Sequence, residues 1–333
     1  MFDIGGILME SYHAKSYPST VSSVDVAGFT LIELMISLVL GLLISAAVIQ
    51  VYIISTRTIT VQQGASEVQD STIFALQSLE DRIRIANLGN PITNINDNTR
   101  NGGIVLTGNN IGNNSYANTG YLTVSAGQTG TKGANGWTGI SNTNIASDQL
   151  TIQYRNITPN PLFDCEGKEI GAGSSDWVIE RYFVRPVTGN TPVAGSQKLV
   201  LACDAGRLTS AGAVTALGDN GEVMIPAIDQ FKVLLGTLSD VDNLTYLPSS
   251  IYLDVDKPLV GEKPAITTIK LGVIIRSSTP MISSVDKNSF NVFGADNTLK
   301  AETAKYYRRS YESTNLLRNA RVMSVTGMPT NSN

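Results

Sequence analysis

Few side chains in this sequence can carry acid–base or covalent chemistry. Among 333 residues there is one histidine, His13, and there are two cysteines, Cys165 and Cys203. A single imidazole nearly excludes Ser–His–Asp and Cys–His catalysis and most zinc sites. Two cysteines suffice for one bridge but not for a disulfide scaffold or an iron–sulfur cluster. Gly171-Ala172-Gly173-Ser174-Ser175-Asp176 half-matches a phosphate-binding glycine loop. It lacks the third glycine and a following helix, so it reads as a turn before a strand at Trp177. Asp240-x-Asp242-Asn243 and Asp254-x-Asp256 space oxygens as calcium loops do. Neither continues into a twelve-residue loop closed by glutamate, so both read as solvated loop carboxylates. Lys300, Lys305, Arg308, Arg309, Arg318 and Arg321 are interleaved with Tyr306, Tyr307 and Tyr311. Cations beside aromatic rings are the means of holding single-stranded nucleic acid. The competing reading is a strand whose basic residues face water while the tyrosines pack. The one carboxylate out of place is Glu33, at the edge of a long apolar run. An ionised side chain in such a run costs ~2.5–3.5 kcal/mol at mid-membrane and therefore needs a partner.

The elements that must position these groups follow from hydropathy. From Leu34 to Ile54 there is no charge and no proline. As a helix these residues span about 31 Å, the thickness of a bilayer core. The segment is too long for a secretory signal peptide and has no small-x-small cleavage site at its end. Beyond it, Val61, Ala65, Val68, Thr72, Leu76, Leu79, Ile83 and Ala86 recur at steps of three and four, the spacing of one helical stripe. Gly89-Asn90-Pro91 is a stop signal, which predicts one helix from about Thr30 to Leu88. Residues 89–147 are rich in Asn and Gly and predict turns and irregular loops. From Asp148 onward β-branched and aromatic runs return: 149–155, 177–184, 198–203, 230–235 and 304–312. Ile269, Leu271, Val273 and Ile275 alternate with Thr268, Lys270, Gly272 and Arg276. The predicted class is therefore α+β, with a long N-terminal helix, half transmembrane and half amphipathic, packed on an antiparallel sheet. Charged residues are only 16% and the net charge is −4, so overall balance gives a nucleic-acid partner no support.

Gly28-Phe29-Thr30-Leu31-Ile32-Glu33-Leu34 resembles the class III signal of type IV prepilins. The resemblance implies cleavage between Gly28 and Phe29 by a prepilin peptidase and N-methylation of Phe29. Glu33 is then the fifth mature residue. It would pair with the terminal amine of a neighbouring subunit, an interaction strengthened by a low dielectric. The implied organisation is a leader at 1–28, a transmembrane half-helix at 29–56, an amphipathic half at 57–88 and a head at 89–333. The leader departs from the family pattern, because Lys15 is its only basic side chain against Asp3, Glu10 and Asp25. A start at Met9 would shorten it. Many pilins have proline at the twenty-second mature position; here it is Gln50, so no proline kink is expected there.

The size of the head and three segments resemble PilW-type minor pilins: 228–236, the strand end 273–277, and 307–309 leading to 314–319. This implies a non-enzymatic, cofactor-free and metal-free subunit that helps prime pilus assembly at or near the tip. The implied partners are the prepilin peptidase, other minor pilins, the major pilin, a tip adhesin and the inner-membrane assembly platform. The implied location is the inner membrane with a periplasmic head, then the pilus. The J-type minor pseudopilin of type II secretion has the same architecture and is the alternative, with a nucleic-acid-binding or adhesive tip module as another. A translocated head lies in an oxidising compartment, where paired thiols oxidise. A Cys165–Cys203 bridge is therefore expected, as a main staple of a head with few charge networks.

Overall fold

A computed structural model describes residues 28–112, 120–125, 139–187, 198–210, 212–238, 244–254, 263–281, 287–302 and 304–320. The chain divides into two compact units at Ile54/Ser55. The first unit contains the beginning of helix α1 (Leu31–Ile85), which is apolar and exposed as far as Ile54. Its two serines are satisfied within the helix: Ser37 donates to the Leu34 carbonyl (2.9 Å) and Ser45 to the Gly41 carbonyl (2.8 Å). Apolar side chains on all sides of a helix suit a lipid or protein surround rather than water.

In the second unit the remainder of α1 buries the stripe the sequence predicts. Val68, Leu79, Ile83 and Ala86 are fully buried, with Thr72 beside them. Gly64 lies on the same face, and a Cβ there would sit 3.3 Å from Tyr307 Cβ, so the helix packs closely at this point. The helix ends three residues before Leu88. Asn87 and Gly89 take left-handed backbone (φ 66° and 78°), which breaks the ladder. The Asn87 backbone N–H donates instead to the Gln153 carbonyl at 2.9 Å.

The next stretch is ordered by its asparagines, which serve as partners for a backbone without a ladder. Buried Asn87 donates to the carbonyls of Ile92 and Asn319 and accepts from Gly103 N–H. Asn110, in the one-turn helix α2 (Gly108–Ile111), accepts from Leu106 and Thr107 N–H and donates to the carbonyls of Asn96 and Thr99. Buried backbone groups need such partners.

The strands are β1 (Leu150–Tyr154), β2 (Leu162–Phe163), β3 (Glu169–Ile170), β4 (Trp177–Pro186), β5 (Leu199–Leu208), β6 (Val214–Thr215) and β7 (Glu222–Ile225). They are followed by β8 (Ile228–Leu238), β9 (Leu244–Leu247), helix α3 (Ser249–Asp254), β10 (Ala265–Arg276), β11 (Ser289–Val292), β12 (Ala295–Thr298) and β13 (Arg308–Leu316). All pairings are antiparallel. One sheet has the order β1-β4-β5-β6, with β7 also on β5; the other has the order β13-β10-β8-β9. Hairpins β2-β3 and β11-β12 are separate.

One core joins α1 to both sheets, through Ile152, Tyr182, Leu201, Phe231 and the alternating Ile269, Leu271, Val273 and Ile275 of β10. The other face of β10 is also covered, with Ile274 packing on Phe290 and Val292 of β11. Thr268 and Arg276, of the alternating polar set, are buried as well, Arg276 against Asp229, Glu302 and the Tyr306 ring.

Candidate functional site

The signal residues are presented at the start of α1. Phe29 is exposed, and among the described residues beyond its chain neighbours nothing lies within 4 Å of where a Gly28 Cβ would be. Glu33 N–H donates to Thr30 Oγ1 at 3.3 Å, so Thr30 caps the helix and Glu33 is its third residue. A carboxylate in the first turn also faces the positive end of the helix dipole. The Glu33 side chain is exposed. Glu33 therefore has a local electrostatic reason for its position and a carboxylate that remains accessible.

Cys165 and Cys203 form a disulfide, with Cα atoms 6.2 Å apart. Cys165 lies in the turn between β2 and β3, and Cys203 on β5 is fully buried. The bridge is one part of a larger fastening. Cys165 N–H donates to Glu180 Oε1 (3.0 Å), which also accepts from Tyr154 OH (2.9 Å). Tyr182 OH donates to Glu180 Oε2 at 2.5 Å. Arg82 of α1 reaches Glu180 Oε1 at 3.7 Å and donates to the carbonyls of Phe163 and Asp164. Helix, hairpin and sheet thus meet at one buried carboxylate. Burial pushes the Glu180 carboxyl above its ordinary range, against the pull of Arg82 and the two hydroxyls. Burial beside Glu180 likewise raises both tyrosines.

The expectation of few charge networks is incorrect. Arg181 and Asp204, opposed on β4 and β5, form a fully buried pair at 3.0 Å. Lys232 holds Asp148 at 2.5 Å. Opposed Arg276 and Arg308 on β10 and β13 both turn to buried Asp229, at 3.6 and 2.6 Å, and both pair with Glu302. Tyr306 lies against both guanidiniums, its ring centre 4.5 Å from Arg276 and 5.4 Å from Arg308. Those groups were missed because their partners are distant in sequence. The one local signal was Glu180-Arg181 inside the apolar run 177–184.

The same network corrects the basic patch. Arg308 is buried and committed to Asp229 and Glu302, so it is no free ligand for a polyanion. Lys305, Arg309 and Arg318 are exposed, and Arg309 Nε donates to Tyr307 OH at 2.8 Å. Lys300 Nζ donates to the Ser141 carbonyl at 2.6 Å. A groove of about 460 Å³ is lined by Arg309, Lys287, Phe290, Tyr306 and Tyr307. Arg321, His13, Asp240, Asp242, Asn243 and Asp256 lie outside the described residues. Asp254 ends α3. Gly171 and Gly173 lie in an exposed turn ahead of β4, with no helix following.

Residues 25–49 match the family model described as the prokaryotic N-terminal methylation motif. Among solved structures, the chain is similar to the type IV-like pilin TTHA1219 from Thermus thermophilus. Identity is 11%, the match covers 76% of this chain and 97% of that one, and the TM-score is 0.37. No curated protein gives a significant match. The motif, at the head of a long apolar helix in a chain that also carries an antiparallel sheet domain, supports a structural subunit of the type IV pilin or pseudopilin kind.

Proposed function

We propose that this chain is a minor pilin of a type IV pilus, of the PilW type, that helps prime assembly at or near the pilus tip. The observation that carries the reading is the methylation motif at 25–49, with Glu33 on the first turn of an exposed apolar helix. In this reading a prepilin peptidase cuts between Gly28 and Phe29, Phe29 is N-methylated, and residues 29–56 anchor the subunit in the inner membrane. After extraction the same segment enters the filament with the other minor pilins and the major pilin. A tip adhesin and the inner-membrane platform complete the partners. The disulfide fits a head exported to the periplasm and then to the cell surface, because such compartments oxidise paired thiols.

The test is intact-mass analysis of membrane-extracted protein together with immunodetection in sheared pili. A chain that begins at methylated Phe29 and is recovered at low stoichiometry with pili is the expected result. An unprocessed amino terminus in cells with active peptidase overturns the reading.

A further inference from the structure

We propose that Glu166, Asp204 and Asp219 form a calcium site on the head, assembled by the Cys165–Cys203 disulfide. One carboxylate oxygen from each of the three lies within 4.8 Å of the others. They come from three places in the sequence: the β2-β3 turn, the middle of β5 and the β6-β7 loop. The disulfide joins the residues immediately before two of them, and so brings Glu166 and Asp204 together. The third is brought in by the loop. Gly218 N–H donates to Asp204 Oδ2 at 2.9 Å, and Gly221 N–H donates to Asp219 Oδ1 at 2.7 Å. Gly221 is left-handed (φ +61°), and a Cβ there would lie 2.3 Å from the Cys203 carbonyl oxygen. Only glycine lets the loop press this closely on β5.

A second observation separates this cluster from an ordinary acidic patch. Asp204 is fully buried; its Oδ2 takes Arg181 and Gly218 N–H, but Oδ1 is buried with no hydrogen-bond partner among the described residues. A buried carboxylate oxygen without a donor is costly, and a cation would satisfy it. Two cations already lean on the cluster, Arg181 at 3.0 Å from Asp204 and Lys168 at 3.2 Å from Glu166. Lys168 is the more exposed of its pair and can swing into solvent. Three hard oxygen donors with irregular spacing suit Ca²⁺, which accepts variable geometry and completes its shell with water; Mg²⁺ demands a near-ideal octahedron. The only thiols nearby are locked in the disulfide, so the donor set excludes soft-metal selectivity.

The full chain in detergent, stripped with EDTA, is dialysed against ⁴⁵CaCl₂, with and without competing MgCl₂. The expected result is one ion per chain, with a dissociation constant on the order of 10⁻⁴–10⁻³ M as in extracellular modules. Asp219→Asn and Glu166→Gln, which keep an acceptor oxygen, should each weaken binding at least about tenfold and leave the thermal midpoint in EDTA unchanged. Saturable binding that neither variant weakens overturns the site. So does an absence of stoichiometric binding at millimolar calcium, and equal competition by Mg²⁺ overturns the calcium assignment. The measurement is independent of processing and assembly, so it neither depends on the pilin reading nor fails with it.

Discussion

Arg308 Nε on β13 donates to Asp229 Oδ2 on β8 at 2.6 Å, across the intervening strand β10, with both side chains buried. Arg276 of β10 shares the same carboxylate. The charges tie three neighbouring strands at one end of the sheet.

Removing Arg308 leaves buried Asp229 and Glu302 with Arg276 as the one remaining cation described beside them. Breaking such a pair costs ~3–5 kcal/mol. Arg308→Ala is therefore expected to lower the thermal midpoint sharply, whereas Arg309→Ala, at the next and exposed position, should leave it within error. Denaturation of the purified variants checks this. Equal midpoints for the two variants would show that the Asp229 cluster does not hold the sheet.

The disulfide closes a loop of 38 residues. The chain-entropy model gives about 4 kcal/mol for a loop of that size. The paired Cys165→Ser, Cys203→Ser variant should unfold at lower denaturant and accumulate less in cells, because proteases remove unfolded chains. Its Glu180 cluster still fastens the hairpin through Arg82, so folding should survive. Loss of ~4 kcal/mol read from urea melts is expected; an unchanged urea midpoint would show that the charge cluster alone fastens the hairpin.

Glu180 gives a pH signature. It faces Arg82 from α1, Tyr154 from β1, Tyr182 from β4 and Cys165 N–H from the hairpin turn. Burial raises its folded-state pKa above the unfolded value, so the folded state holds its proton more tightly. The stability it contributes is fully present below the unfolded carboxylate pKa and is lost as pH rises through the folded one. Glu180→Gln, which mimics the protonated form, should flatten the fall in stability above the ordinary carboxylate range. Parallel pH–stability curves for wild type and variant would contradict the assignment.

Much of the backbone plan was legible because it rests on short-range periodicity. The stripe Val68, Leu79, Ile83 and the alternation of Ile269, Leu271, Val273 and Ile275 both report a face that must be buried. Strand ends were less legible. The last strand runs Arg308–Leu316 rather than 304–312, and its first residue is held by Asp229, 79 residues away in sequence. The Asn-rich stretch after α1 gave a turn signal but not its order, since Asn87 and Asn110 act through carbonyls such as that of Asn319. Glu166, Asp204 and Asp219 have no common spacing, and only the disulfide and the folded loop bring them together.

The last prediction separates the two roles open to Glu33. Its backbone N–H is the group that Thr30 caps, so truncating the side chain leaves that hydrogen bond in place. The side chain adds only a first-turn interaction with the helix dipole, ~0.3–1 kcal/mol at an exposed terminus. Glu33→Ala should therefore leave the thermal midpoint of the second unit unchanged, because that unit starts at Ser55. If the carboxylate pairs with the terminal amine of a neighbouring subunit, the variant should still be processed at Gly28/Phe29 and still reach the membrane, yet be lost from sheared pili. Glu33→Gln, which keeps the shape and removes the charge, should fail in the same way, since a charge pair in low dielectric is what is removed. Thr30→Ala supplies the contrast: it removes the cap and retains the carboxylate, so recovery in pili should be largely preserved. Normal recovery of the Ala and Gln variants at position 33 would reduce Glu33 to a helix-start residue, and loss of all three would point to the helix terminus rather than to the charge.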